Sequence, residues 1–222
     1  MTPLTAPAQT LLPSLPSRPR KDAVANRAAL LQAARIVVSR DPGASMDAIA
    51  RAAGLSRRAV YGHFADRDAL LGELIRSGAE RFNAIAEQLD DGDAPATLAR
   101  LAVRLWREAA QVRLAASLAL DDAHVTATAA ALRPLRRRIL SIVRAGQQAG
   151  TIRTDLEATL LARLIEEAAR AAVGRLDAPS ADVPAIAVKA VLGIAGLSWR
   201  ETLAVLAAHP ELEAELEEQD AH

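Results

Sequence analysis

Alanine fills 52 of the 222 positions, whereas Phe, Trp and Tyr together fill five. Ala is the strongest helix former, and the aromatic residues that favour pleated strands are nearly missing, so the chain is biased toward helices throughout. An all-α fold is the expectation. Apolar types make up 51% and charged types 24%, close to a soluble globular average, which supplies a sizeable core for one long domain or two short ones. With no Cys, a disulfide framework, a thiol nucleophile and a Cys-based zinc site are excluded.

The position of the charge matters more than its sum. Lys+Arg and Asp+Glu each number 27, yet residues 18–81 carry 12 basic and 7 acidic groups while residues 82–222 carry 15 basic and 20 acidic ones. A basic segment followed by a mildly acidic body suits a molecule that touches a polyanion at one end only.

Residues 1–20 read as a disordered arm, because Pro3, Pro7, Pro13, Pro16 and Pro19 prevent any element from propagating. No positive charge precedes an apolar stretch there, so a signal peptide is not expected. Arg18, Arg20 and Lys21 are either a solvated linker or an arm for a neighbouring minor groove. Residues 23–40 form the first helix, with Leu30, Ala34 and Val37 at helical spacing and Asp41-Pro42-Gly43 as its stop. Ser45 caps a two-turn second helix, Gly54 closes it in the left-handed conformation, and Ser56 caps a third helix over Arg57 to Phe64. Asp66 caps a fourth through about Leu89. Helical patterns then run over 95–119, 125–148, 155–175 with Asp155 as cap, and 183–208. The longest later apolar stretch, Ala185 to Leu197, is too short to span a membrane, which needs roughly 20 residues.

Within the third helix Val60 and Phe64 lie four apart and face inward, so Arg57, Arg58, Tyr61 and Gly62 face outward. Two Arg and the only Tyr on so short a helix suit a DNA major groove. Arg makes bidentate bonds to guanine O6 and N7, worth ~1–3 kcal/mol of discrimination. Tyr61 and His63 can donate to phosphates, and the capped start of the second helix at Ser45 offers backbone N–H groups for another. Gly62 costs about 1 kcal/mol against Ala in a helix interior, a cost that close approach of backbone to DNA would explain. His63 has no second His, Cys or Glu at ligand spacing, so no metal is expected.

Residues 25–82 resemble the DNA-binding domain of tetracycline-repressor-type (TetR family) regulators. The resemblance rests on Ser45-Met46-Asp47-Ala48-Ile49-Ala50-Arg51-Ala52-Ala53-Gly54-Leu55-Ser56, then Val60-Tyr61-Gly62-His63-Phe64, then Asp66-Arg67-Asp68-Ala69-Leu70-Leu71. It implies an N-terminal three-helix helix-turn-helix domain over 21–82 and a helical-bundle domain over 83–222 for ligand binding and dimerisation. It further implies a cytoplasmic homodimeric transcription factor, most often a repressor, that binds double-stranded DNA at a pseudo-palindromic operator and is released by a small-molecule effector. No cofactor, membrane or catalytic residue is implied. Carried over by position, the DNA-binding residues are Ser45, Ser56, Arg57, Arg58, Tyr61, Gly62, His63 and Arg67, the last standing where the family usually has Lys. Asp47 departs from the neutral or basic residue common at its position, which would weaken an adjacent phosphate contact.

By the same resemblance Phe82, Trp106 and His124 fall on segments that can line a ligand pocket, though each reads more readily as ordinary core or surface. The scarcity of aromatics leans toward an aliphatic effector. Glu166, Glu167 and Arg170 read as a solvated face. The dimer seam is assigned to Leu161, Leu164, Ile165, Ala168 and Ala172 of one long helix and to Val188, Val191 and Leu192 of the next, with Leu160 and Ile186 beside them; an intramolecular core would give the same pattern. Two rival readings remain at this stage: a dimeric helical adaptor without specific DNA binding, and a helical-bundle enzyme. Against the second stands the lack of a Gly-rich phosphate loop, of Cys and of a Glu-x-x-His pair.

Overall fold

A computed structural model describes residues 18–111, 125–174 and 183–212. Among them every regular element is a helix. In chain order they are α1 (Arg18–Arg40), α2 (Met46–Ala52), α3 (Arg57–His63), α4 (Arg67–Glu87), α5 (Ala94–Gln111), α6 (Val125–Ala131), α7 (Arg133–Ala149), α8 (Ala158–Gly174), α9 (Val183–Ile194) and α10 (Trp199–Ala208).

The caps fix the first four helices. Ser45, Ser56 and Asp66 accept from the backbone N–H groups of Ala48, Ala59 and Ala69, satisfying donors that a helix start leaves orphaned. Gly54 takes φ +68°, a left-handed conformation expected of glycine at that turn. α1 begins at Arg18, so Arg18, Arg20 and Lys21 belong to a helix; the remainder of the expected arm lies outside the described residues.

Three expectations for the later helices are corrected. The expected helix over 125–148 is two, because Pro134 has no N–H to give the carbonyl four residues back and α7 restarts with the proline in its first turn. The break is bridged from α4: Asn83 Nδ2 donates to the Ala131 carbonyl and its Oδ1 accepts from the Leu135 N–H, each at 3.0 Å. α8 is capped by Glu157, which accepts from Thr159 and Leu160, while the expected cap Asp155 is paired with Arg153. The helix expected over 183–208 breaks at Gly196, whose φ of +104° and a would-be Cβ 2.6 Å from the Arg153 Cβ exclude a side chain. Ser198 and Glu201 then open α10 with a reciprocal capping box.

Two separate buried clusters hold these helices. One joins Leu30, Val38, Ile49, Val60, Phe64 and Leu70. The other joins Leu98, Val103, Ile139, Val143, Leu161 and Leu192, among others. α4 enters both: Leu70, Leu71 and Leu74 pack in the first, and Ala86, with the partly buried Phe82 and Ile85, in the second. α4 is therefore a structural link between the two clusters.

Candidate functional site

α3 is positioned from behind. Val60 is fully buried, Phe64 nearly so, and the guanidinium of Arg27 on α1 lies 4.6 Å from the Phe64 ring centre, a cation–π contact that ties α1 to the end of α3. The other side of α3 faces solvent with Arg57, Arg58, Tyr61 and Gly62, while His63 is half-buried at its edge. The exposure of Arg57, Arg58, Tyr61 and Gly62 is what the spacing predicts. A Cβ built on Gly62 meets nothing within 4 Å and its φ is not left-handed, so nothing inside the molecule requires a glycine there.

Two expected contact residues have internal partners. Arg67 donates its Nε to the Ala44 carbonyl at 3.1 Å and a terminal nitrogen to the Pro42 carbonyl, bracing the α1–α2 turn. Arg57 Nη1 donates to Asp47 Oδ2 at 3.1 Å and its guanidinium sits 5.5 Å from the Tyr61 ring centre. Asp47, read from sequence as unfavourable to phosphate, thus orients an outward Arg across the helix-turn-helix; it is exposed enough that the pair itself adds little stability.

The body contains an apolar cavity of about 160 Å³ between α4, α5, α6, α7, α8 and α9. Phe82 and Trp106 both line it, with Leu105, Leu132, Leu135 and Ile139; His124 lies outside the described residues. Trp106 is 7% exposed, and its Nε1 has no acceptor among the described residues. Glu166 and Arg170 also line the cavity, which corrects their reading as a solvated face. Arg136 holds Glu166 with Nε at 2.9 Å and Nη2 at 2.7 Å, and Arg170 Nη2 reaches the same carboxylate at 3.0 Å. On the other side of this cluster an open cleft of about 830 Å³ runs between α6–α7 and α8 and shares Ile139 and Glu166 with the cavity wall. Sequence reasoning missed Arg136, Ile139 and Leu105, since nothing in helical spacing says which helices meet around a void.

Both walls are wired to α4. Asn83 clamps the α6–α7 break, Arg138 of α7 donates to the Leu89 carbonyl at 2.7 Å and pairs with Asp91, and Arg81 of α4 pairs with Glu108 of α5. Arg35 of α1 lies in the fields of Arg81 and Glu108, and burial, then Arg81, lowers its pKa.

The expected dimer residues divide. Leu161, Ile165, Val188, Val191 and Leu192 are at most 2% exposed within a single chain, so these five belong to the protomer's own core and cannot form a surface between copies. Helical spacing identifies an apolar stripe without saying what covers it. Leu164 is exposed, Ala168 and Ala172 are partly so, and Leu160 and Ile186 are exposed beside them. Among the described residues no helix is long and apolar enough to cross a membrane, and no group of His, Cys, Asp or Glu is arranged to hold a metal ion.

Residues 29–74 match the bacterial regulatory proteins of the tetR family. The chain is similar in fold to the transcriptional regulator FadR from Bacillus subtilis in complex with stearoyl-CoA, at TM-score 0.68 and 18% identity over 76% of this chain and 97% of that one. It is also similar to the TetR family regulator PfmR from Thermus thermophilus, at TM-score 0.64 and 20% identity over 76% and 98%. A third similar structure is RolR with its ligand resorcinol, at TM-score 0.60 and 20% identity over 84% and 95%. No curated protein matches the chain. Residues 29–74 thus match the tetR family of bacterial regulatory proteins, and the chain as a whole shares the fold of these regulators.

Proposed function

We propose that this protein is a cytoplasmic, sequence-specific DNA-binding repressor that acts as a homodimer on a pseudo-palindromic operator and is released by a small-molecule effector. The observation that carries the reading is the outward strip of α3, where Arg57, Arg58, Tyr61 and Gly62 stand exposed on a helix anchored by buried Val60. Arg57 and Arg58 read bases, Tyr61 and His63 hold phosphates, and Ser45 and Ser56 can offer their hydroxyl protons to phosphate while their oxygens cap α2 and α3. Arg67 braces the turn that sets the distance between α1 and α2, with one terminal nitrogen left for phosphate.

The effector enters the cavity against Phe82 and Trp106. Similar folds hold stearoyl-CoA in one case and resorcinol in another, which supports a small-molecule site without choosing its chemistry. A ligand that separates α7 from α5 pulls on Asn83 and on the Arg81–Glu108 pair, and α4 transmits the shift to the cluster that seats α3. Coupling of ~1–3 kcal/mol would change operator occupancy 5–150-fold. Dimerisation uses the exposed apolar residues Leu160, Leu164 and Ile186 with the small Ala168 and Ala172. The helix-turn-helix unit over 21–82 and the body over 83–222 share α4.

Selection of bound sequences from a random duplex pool by the purified protein tests this directly, at near-physiological salt because most binding at low salt is sequence-independent. The expected result is an inverted repeat containing G, with half-sites about one helical turn or a multiple apart. Arg58→Ala then relaxes one base pair per half-site by ~1–3 kcal/mol, whereas Tyr61→Phe weakens all sequences alike. A folded, dimeric protein that enriches nothing would overturn the reading in favour of an adaptor.

A further inference from the structure

Arg57 and Arg58 are neighbours on the outward side of α3 and differ in how they are held. The Arg57 side chain is 70% exposed, yet its guanidinium is fixed at two points: Nη1 donates to Asp47 Oδ2 at 3.1 Å, and Cζ lies 5.5 Å from the Tyr61 ring centre. Arg58 is exposed with no hydrogen bond, ion pair or ring contact among the described residues. Asp47 returns little to the fold. An ion pair this exposed adds little stability, and Asp47 Oδ1 is enclosed with no donor among the described residues, which is a cost to folding. Its effect falls on Arg57, a long side chain with many rotamers that is confined here to one region of the helix-turn-helix surface.

The carboxylate takes Nη1 and leaves the other two-donor edge of the guanidinium, Nε with Nη2, without a partner among the described residues. That edge matches the adjacent O6 and N7 acceptors of guanine. An arginine already held loses less freedom on binding, and it cannot swing to the nearest phosphate of an arbitrary sequence. We propose that Asp47 is a specificity-determining residue of this protein: by holding Arg57 it presents the Nε–Nη2 edge to one guanine in each half-site and keeps that guanidinium off the phosphates. Asp47 does not itself touch the base; it is a positioning residue that acts through Arg57. This rests on α3 being the helix that enters the groove.

Fluorescence-anisotropy titration of the full-length protein tests this, with the operator selected from the random pool, each single-base variant of its half-site, and a random duplex. Arg57→Ala first identifies the base pair that Arg57 reads, by a loss of about 5- to 150-fold in discrimination there. Asp47→Ala should lose roughly threefold or more of the discrimination at that same pair, and none at the pair that Arg58→Ala identifies. Random duplex should bind Asp47→Ala more tightly, with a salt slope steeper by up to about 0.9 per subunit, one further phosphate contact. In the Arg57→Ala background, Asp47→Ala should change no base preference, since its action passes through the guanidinium. Asp47→Asn keeps the size of the side chain, so a loss of the same kind there excludes a folding defect. Asp47→Ala that scales all duplexes equally, or that shifts base preference with Arg57 already removed, overturns the positioning role while α3 stands as the reading helix. Arg57→Ala that weakens every sequence alike overturns it too, by assigning Arg57 to phosphate. A parent protein that prefers no sequence overturns the DNA-binding reading itself and this role with it.

Discussion

α3 and the cavity differ in how far apart their parts lie along the chain. The outward strip of α3 is drawn from residues 57–63, whereas the cavity is assembled from residues between Phe82 and Ala187. The strip is local: one helix period and one buried anchor determine which side chains point out. The cavity is a property of six packed helices, and which residues border it depends on where each helix breaks. A surface of the first kind can be deduced from spacing alone, while a site of the second kind cannot, even when the helices themselves are foreseen.

The largest test of this contrast lies where spacing misleads. Leu161 and Leu164 are three apart on α8, yet one is fully buried and the other 39% exposed. Leu161→Ala should cost about 2–5 kcal/mol of folding stability, measured by urea unfolding at a fixed protein concentration. Leu164→Glu should leave the fold intact and shift sedimentation toward monomer. Should Leu161→Ala prove harmless to stability while Leu164→Glu unfolds the chain, the division between core and seam is reversed.

Asn83 sharpens the comparison from the other side, since it is polar, half-buried and belongs to neither site. Asn83→Ala leaves the Ala131 carbonyl and the Leu135 N–H without their partner, which should cost about 1–3 kcal/mol. Its larger consequence is functional: operator affinity without ligand stays near that of the parent, but ligand no longer lowers it. An Asn83→Ala protein still released by ligand to the full extent would route the coupling through the Arg81–Glu108 pair instead.

These cases define what sequence could supply. The all-helical class, the three caps at Ser45, Ser56 and Asp66, the left-handed Gly54 and the outward strip of α3 were all legible, because each depends on residues within a turn or two of one another. Phe82 and Trp106 came to the cavity only through resemblance. The break at Pro134 carried a local signal that the surrounding alanine-rich pattern overrode, and the break at Gly196 is fixed by Arg153, more than forty positions away. Glu166 looked solvated because helical spacing records neighbours along one helix, whereas its partner Arg136 is on another. The burial of Leu161 and Leu192 is likewise a fact about facing helices.

Gly62 offers a smaller effect with a sharper sign. Since a methyl group there has open space around it, Gly62→Ala should raise folding stability by up to about 1 kcal/mol through helix propensity. Operator affinity should fall in the same protein, because the added group stands between the helix backbone and the groove. Thermal unfolding and operator titration of one preparation read both effects. Stability and affinity rising together would mean that the glycine has no part in approach to DNA.

The smallest expected effect is a pH dependence that begins in the body. The Ser198 hydroxyl and backbone N–H hold the Glu201 carboxyl below its usual pKa, and the Thr159 N–H does the same for Glu157 at the start of α8. A carboxyl whose folded pKa is depressed stabilises fully above its unfolded value and loses that contribution as pH falls through the folded one. Both tryptophans, Trp106 and Trp199, are in the body, while Tyr61 is on α3, so tryptophan emission follows the body alone. Between about pH 6 and about pH 3.5, across the ordinary carboxylate range, the unfolding temperature seen by tryptophan should fall. Glu201→Gln keeps the reciprocal hydrogen bonds of the cap without a titrating group, so it should reduce that slope slightly. A slope unchanged by Glu201→Gln would move the acid sensitivity away from the α10 cap, to Glu157 or to the Arg153–Asp155 pair, where the Arg153 hydrogen bond likewise lowers the Asp155 pKa.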